Sequence, residues 1–181
     1  LAALASLSGV PDRLIYERLF ESGFDDRAEL GGYSPDGVLE FVSGALERRV
    51  SAADLIDAWA LAFEPETDVP EHIAALPVRR VLLTNNGPMI DACLAGPLRA
   101  LAAVFDEVIC SWHLRARKPD QVAFQRAAER LHLDPGRLLL LDDSIDNVQA
   151  AQRCGWAAEQ VRGLTQLVTA TSRYPGLRGS S

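Results

Sequence analysis

Lysine is almost missing from this chain of 181 residues: Lys118 stands alone among 18 basic residues, and all the others are arginine. The arginine excess is what GC-rich coding would produce, which makes the exception informative. A compact ammonium and a forked guanidinium are not interchangeable in a tight site. Methionine is limited to Met89, and the chain opens Leu1-Ala2-Ala3, which is expected not to be a natural translation start. Cysteine is scarce and odd in number. Cys93, Cys110 and Cys154 lack metal-type spacing, which argues against a disulfide or zinc scaffold and leaves them structural roles. No apolar run is long enough for a membrane span and no cleavable signal is present, so a cytoplasmic protein is expected. Basic charge is outnumbered, 18 residues against 25 acidic ones for a net charge of −7. That balance argues against nucleic acid or an anionic membrane as partner. With 48% hydrophobic and 24% charged residues, the composition is that of a folded globular chain. Its length suits one core domain with a small accessory unit.

The first third reads as helices. Leu1 to Leu7 is rich in Ala and Leu, and Pro11 after the Gly9-Val10 turn suits the opening of a second helix. Ser34 can cap a helix with Val38, Leu39, Val42 and Leu46 on one face. Ser51, with Asp54 at the capping-box position, opens another whose apolar face is Leu55, Ile56, Trp59 and Ala60. The pattern then changes. Strands are predicted over 78–84, at 108–110, over 138–141 and over 157–161, alternating with helices after Pro88, over 121–131, over 144–154 and over 163–170. The run Leu138 to Leu141 has the continuous apolar character of a strand buried on both faces. The expectation is an α/β fold with a mostly parallel, Rossmann-like sheet and a small all-α cap. The expected domains are a helical cap at 1–66, an α/β core at 67–172 and a polar tail at 173–181, frayed from Thr171 onwards.

Ligands of such sheets bind beyond the carboxyl ends of the strands. There the sequence places Thr84-Asn85, Ser111-Trp112 and Asp142-Asp143, and the loop before the 121–131 helix adds Arg117-Lys118-Pro119-Asp120. A hydroxyl, an amide, an ammonium and two carboxylates suit a metal-bound phosphate ester: carboxylates hold Mg²⁺ and the donors hold phosphoryl oxygens. Asp142-Asp143 could instead cap the next helix, but two acids directly after four leucines cost stability unless paired or metal-bound. His113 and His132 have no evident partner, and Trp59, Trp112 and Trp156 are read as packing residues.

Val81-Leu82-Leu83-Thr84-Asn85, Arg117-Lys118-Pro119-Asp120 and Leu141-Asp142-Asp143-Ser144-Ile145-Asp146-Asn147, in this order, resemble motifs II, III and IV of the haloacid dehalogenase (HAD) superfamily. The helical unit with its Gly31-Gly32-Tyr33-Ser34 turn is similar to the small cap of the subfamily I enzymes, nearest to the epoxide-hydrolase-N-terminal-like phosphatases. The resemblance implies that Thr84 and Asn85 bind a phosphoryl group and that Lys118 neutralises that group and the nucleophile. It implies Asp143 as a direct Mg²⁺ ligand, Asn147 in support of the metal site, and a less defined role near the metal for Asp142. It further implies a small phosphorylated metabolite as substrate and a monomer or homodimer.

The family's nucleophile is the first Asp of a D-x-D segment, which forms an aspartyl-phosphate while the second Asp acts as acid and base. No D-x-D occurs in the chain. The nucleophile and its strand are therefore expected upstream of Leu1, and the 181 residues alone are expected to be inactive. A metal-free 2-haloacid dehalogenase and an inactive HAD-like binding protein are the alternatives.

Overall fold

The computed structural model of the protein describes residues 1–63 and 68–174. The expected cap–core boundary at 66/67 and most of the expected tail (175–181) lie outside the described residues. The chain begins with helices α1 (Ala2–Ser8), α2 (Asp12–Tyr16), which continues as a π turn over Glu17–Glu21, α3 (Phe24–Glu29), α4 (Pro35–Ala45) and α5 (Ala52–Ala60). The local rules read from the sequence operate here. The Ser34 side chain accepts the N–H of Gly37 with Pro35 in the first turn, and the Ser51 side chain accepts the N–H of Asp54. Ile15, Leu19, Phe24, Val38, Val42, Leu46 and Leu55 close one apolar cluster, joined by Met89 from beyond the helical segment. Within it Phe24 and Phe41 stack with ring centroids 4.1 Å apart.

Helix α6 (Asp68–Ala74) then leads into β1 (Val81–Thr84), α7 (Met89–Ala95), α8 (Arg99–Ala102), β2 (Glu107–Cys110), α9 (Ser111–Leu114) and α10 (Gln121–Leu131). A 3₁₀ turn at Pro135–Arg137 precedes β3 (Leu139–Asp142), α11 (Ile145–Arg153), β4 (Ala157–Gln160) and α12 (Leu164–Ser172). The fold is α/β, with every strand pair parallel. Leu83 lies opposite Ile109 and Thr84 opposite Cys110 in the β1–β2 pair, while Leu140 faces Ala158 and Asp142 faces Gln160 in the β3–β4 pair. Phe124 and Ala127 of α10 pack with Leu140, Val148 and Trp156 in the main core of this part.

Several expectations are corrected. The predicted strand over 78–84 begins only at Val81, because Arg80 bonds Asp106 through its backbone and side chain rather than a strand ladder. Helix α6 was not anticipated; it contains Pro70 and a weak apolar pattern. Thr171 does not fray: it is buried in α12, and its hydroxyl bonds the Leu167 carbonyl at 3.0 Å and lies 3.0 Å from His72 Nε2.

No ladder joins β1 to β3 among the described residues, so the strands form two two-stranded sheets. Both strands border one cavity of about 650 Å³, lined by Val81, Leu83, Leu139 and Leu141, with Lys118 and Asp142 also on its wall.

Candidate functional site at the strand ends

Asp142 is the last residue of β3 and is 92% buried, counted as 8% exposed. A carboxylate that deep after three leucines requires partners. Lys118 Nζ donates to its Oδ2 at 2.6 Å, while Oδ1 accepts from Asn147 Nδ2 and from the Ser144 backbone N–H, each at 2.9 Å. Burial pushes the Asp142 pKa up, but the hydrogen bond and charge of Lys118, aided by Asn147 and Ser144, outweigh it and hold the carboxyl below its ordinary range. Asp142 is therefore ionised and faces an ammonium.

Lys118 is positioned from behind. Asn85, directly after β1, donates through Nδ2 to the Lys118 carbonyl at 2.8 Å and accepts the Lys118 N–H through Oδ1 at 2.9 Å. Both ends of the Asn85 amide thus hold the lysine backbone. Thr84, ending β1, accepts from Asn86 Nδ2 at 2.7 Å. A hydroxyl that accepts through a lone pair keeps its own hydrogen for an anion. The Asn86 backbone is fixed in turn by the buried Ser111, which accepts the Asn86 N–H at 3.0 Å and donates to its carbonyl at 3.3 Å.

Asp143 differs from its neighbour. Its residue is exposed, and among the described residues its carboxylate has no hydrogen bond or ion pair, although its carbonyl accepts from Gln160 at 2.8 Å. Asp143 offers a free hard-oxygen donor, whereas both oxygens of Asp142 are already engaged, Oδ2 by Lys118 and Oδ1 by Asn147 and Ser144. Mg²⁺ is usually held by one or two carboxylates with waters and substrate phosphate. Asp143 fits the ion as such a carboxylate.

The structure thus brings Lys118, Asp142, Asn85 and Asn147 into one bonded network, with Thr84 held by Asn86 at the neighbouring strand end and Asp143 next to Asp142. Asn147 contacts Asp142 rather than Asp143. Sequence reasoning passed over Asn86 as a site residue and missed Asp26 and Glu29 of α3. Arg117 ion-pairs with both of them, with Glu29 at 2.9 Å, and so ties the helical part to the loop that carries Lys118. Only their acidity could have signalled this, because the contacts span some ninety positions.

Residues 25–155 match the haloacid dehalogenase-like hydrolase family. Among curated proteins none matches the chain by sequence. Among solved structures, a predicted HAD-like family hydrolase from Porphyromonas gingivalis superposes with a TM-score of 0.73 at 24% identity, over 95% of this chain and 87% of that one. A HAD family enzyme from Bacteroides thetaiotaomicron, a mutant in complex with magnesium and inorganic phosphate, gives 0.71 at 18% identity over 89% and 84% of the two chains. The L-2-haloacid dehalogenase from Xanthobacter autotrophicus with chloropropionic acid covalently bound gives 0.60 at 22% identity over 95% and 75%. These likenesses establish the fold.

Proposed function

We propose, for a chain that belongs to the haloacid dehalogenase-like hydrolase family, a Mg²⁺-dependent phosphohydrolase acting on small phosphomonoesters. The observation that carries this reading is the Lys118–Asp142 pair, buried on the wall of the cavity between β1 and β3. The carboxylate holds the Lys118 side chain in place, and a charged donor in a poorly hydrated site stabilises developing phosphoryl charge strongly. Lys118 binds a phosphoryl oxygen, and Thr84 donates its free hydroxyl hydrogen to another. Asn85 and Asn147 act through their partners, the first on the Lys118 backbone and the second on Asp142. Asp143 would hold Mg²⁺, which neutralises phosphate charge when bound.

The nucleophile is assigned to an aspartate on a strand upstream of Leu1. Two parallel strand edges that face one apolar cavity without pairing support this placement, since unpaired edges seek a strand. A strand seated there would deliver its carboxyl end beside Thr84 and Lys118. Attack by its carboxylate on phosphorus releases the alcohol, and water then frees phosphate and restores the aspartate. The acidic net charge suits a small metabolite bound in a local site better than a polyanion. The segment 1–66, helical in its described residues 1–63, is the cap over the α/β core in this reading, and the enzyme acts as a monomer or homodimer in the cytoplasm. Among the described residues no helix is long and apolar enough to cross a membrane.

The test is hydrolysis of phosphomonoesters by protein carrying its upstream sequence, with and without EDTA. The reading expects activity that EDTA abolishes, that excess Mg²⁺ restores, and that Asp143→Asn removes while the protein stays folded. Activity unaffected by EDTA, on haloacids instead of phosphate esters, would contradict it.

A further inference from the structure

We propose that Asp91, Cys110 and His113 form a second metal site, suited to a zinc-class divalent ion and separate from the Mg²⁺ carboxylate, Asp143. The residues come from three elements: Asp91 from α7, Cys110 from the last position of β2, and His113 from α9. One ligand atom of each lies within 4.8 Å of the others. His113 Nε2 is 2.8 Å from Asp91 Oδ2, and Cys110 Sγ is 3.9 Å from Asp91 Oδ1. The Asp91 contact corrects the sequence reading of His113 as partnerless. Cys110-x-x-His113 across a strand-to-helix turn supplies two donors, and the third comes from a helix that no local pattern reveals.

The spacing is close to what the ion needs. Tetrahedral zinc with bonds of about 2.3 Å to sulfur and 2.1 Å to oxygen or nitrogen sets sulfur about 3.6 Å from oxygen and nitrogen about 3.4 Å from oxygen. Sulfur stands 3.9 Å from Oδ1 and the imidazole 2.8 Å from the other oxygen, Oδ2, so bringing all three donors onto one ion takes a turn of the carboxylate as well. The imidazole and carboxylate must part by roughly half an ångström, a side-chain adjustment. Three protein donors leave a fourth position open. The His113 and Asp91 side chains are 25% and 43% exposed, which gives an ion a path from solvent to the buried sulfur.

A nucleophilic triad is a poor reading of the same residues. The carboxylate stands between thiol and imidazole rather than behind the imidazole, and Cys110 is fully buried. Burial, and then the Asp91 charge, push the thiol up to about 12, so without a cation it stays protonated and inert. A divalent ion bound here would offset both: the thiol proton would leave to solvent in exchange for the metal–sulfur bond, and the Asp91 charge would be neutralised. Thiolate and imidazole favour zinc-class ions over magnesium. Such an ion would pin α7 to the end of β2, next to Ser111 and hence to the Asn86 backbone that supports Thr84.

Cobalt(II) titration of the protein in excess Mg²⁺ tests this. The excess occupies the carboxylate site, so the remaining signal belongs to a thiolate site. The expected result is a near-ultraviolet thiolate-to-cobalt band with tetrahedral visible bands, saturating at one equivalent and displaced by Zn²⁺. The surface change His113→Gln should weaken binding by at least about 100-fold, more than loss of an outer hydrogen-bond partner does. Cys110→Ser should abolish the near-ultraviolet band. Zn²⁺ should raise the unfolding temperature of the parent protein and leave that of His113→Gln unchanged. Absence of the thiolate band, or a band of equal affinity in His113→Gln, would overturn the proposal even if Cys110→Ser fails to fold.

Discussion

Lys118 Nζ stands 2.6 Å from Asp142 Oδ2, with the two side chains only 11% and 6% exposed. The only lysine of the sequence thus meets the acid that ends its most apolar strand. Neither charge could remain there alone. Breaking a buried pair from one side costs about 3–5 kcal/mol, because the other charge is left without a partner. Lys118→Met should therefore lower unfolding stability by about 3 kcal/mol in urea titrations. Adding Asp142→Asn to it should recover most of that loss without recovering activity. Lys118→Arg keeps the charge but not the compact ammonium, and should lower the phosphatase rate at least ~100-fold, as loss of one transition-state donor does. Full activity in Lys118→Arg would remove Lys118 from the site.

Two carboxylates give the protein opposite pH dependences. Asp142 is held below the ordinary carboxylate range by Lys118, Asn147 and Ser144 against its burial. Such a group contributes stability above its unfolded pKa of about 3.9, and that contribution disappears as pH falls through the depressed folded value. Asp142→Asn should thus flatten the acid limb of the stability curve below pH ~4. For Asp25, burial first, then Glu29 and Asp26, raise the pKa from 3.8 to about 6, with Arg117 opposing. Its contribution is present below the unfolded value and lost as pH rises through about 6. Asp25→Asn should raise the unfolding temperature near neutrality and leave it unchanged at pH ~4, the unfolded-state value. Equal shifts at both pH values would contradict this assignment.

Gly31 sits where the helical part meets α9. Its φ is +76°, and a Cβ there would lie 2.9 Å from the Trp112 carbonyl oxygen. Gly9 has a similar φ of +78° with nothing within 4 Å. Gly9→Ala should cost only the left-handed backbone penalty of about 1–2 kcal/mol. Gly31→Ala should cost clearly more, because backbone rather than a flexible side chain obstructs the new methyl. Chemical denaturation of the two variants measures the difference directly, and equal losses would show that the α3–α9 contact yields freely.

How much of this was legible depended on whether the cause was local. Ser34 and Ser51 cap their helices through N–H groups three residues away, and α10 runs over the predicted span. The four leucines of 138–141 predicted β3 to within one residue. Thr84, Lys118 and Asp142 could be gathered because parallel strands deliver their carboxyl ends to one edge. What the residues do to one another could not be read. Asn85, expected at the phosphate, has its amide turned onto the Lys118 backbone, and Asn147 supports Asp142 rather than its neighbour. Arg117 with Asp26 and Glu29, and His113 with Asp91, are tertiary pairings that no periodicity encodes. The limit of β1 at Val81 was set by Asp106, a residue of another segment.

The central claim is that phosphoryl transfer passes through an aspartate seated between β1 and β3. The most direct measurement is peptide mass spectrometry on acid-quenched protein that carries its upstream sequence, after brief mixing with a phosphomonoester and Mg²⁺. The account predicts one phosphoryl group on an aspartate of a peptide preceding Leu1, trapped as acyl phosphate and absent when Lys118→Arg is used. Turnover without any acyl phosphate, or a phosphoryl group on an aspartate within residues 1–181, would contradict it.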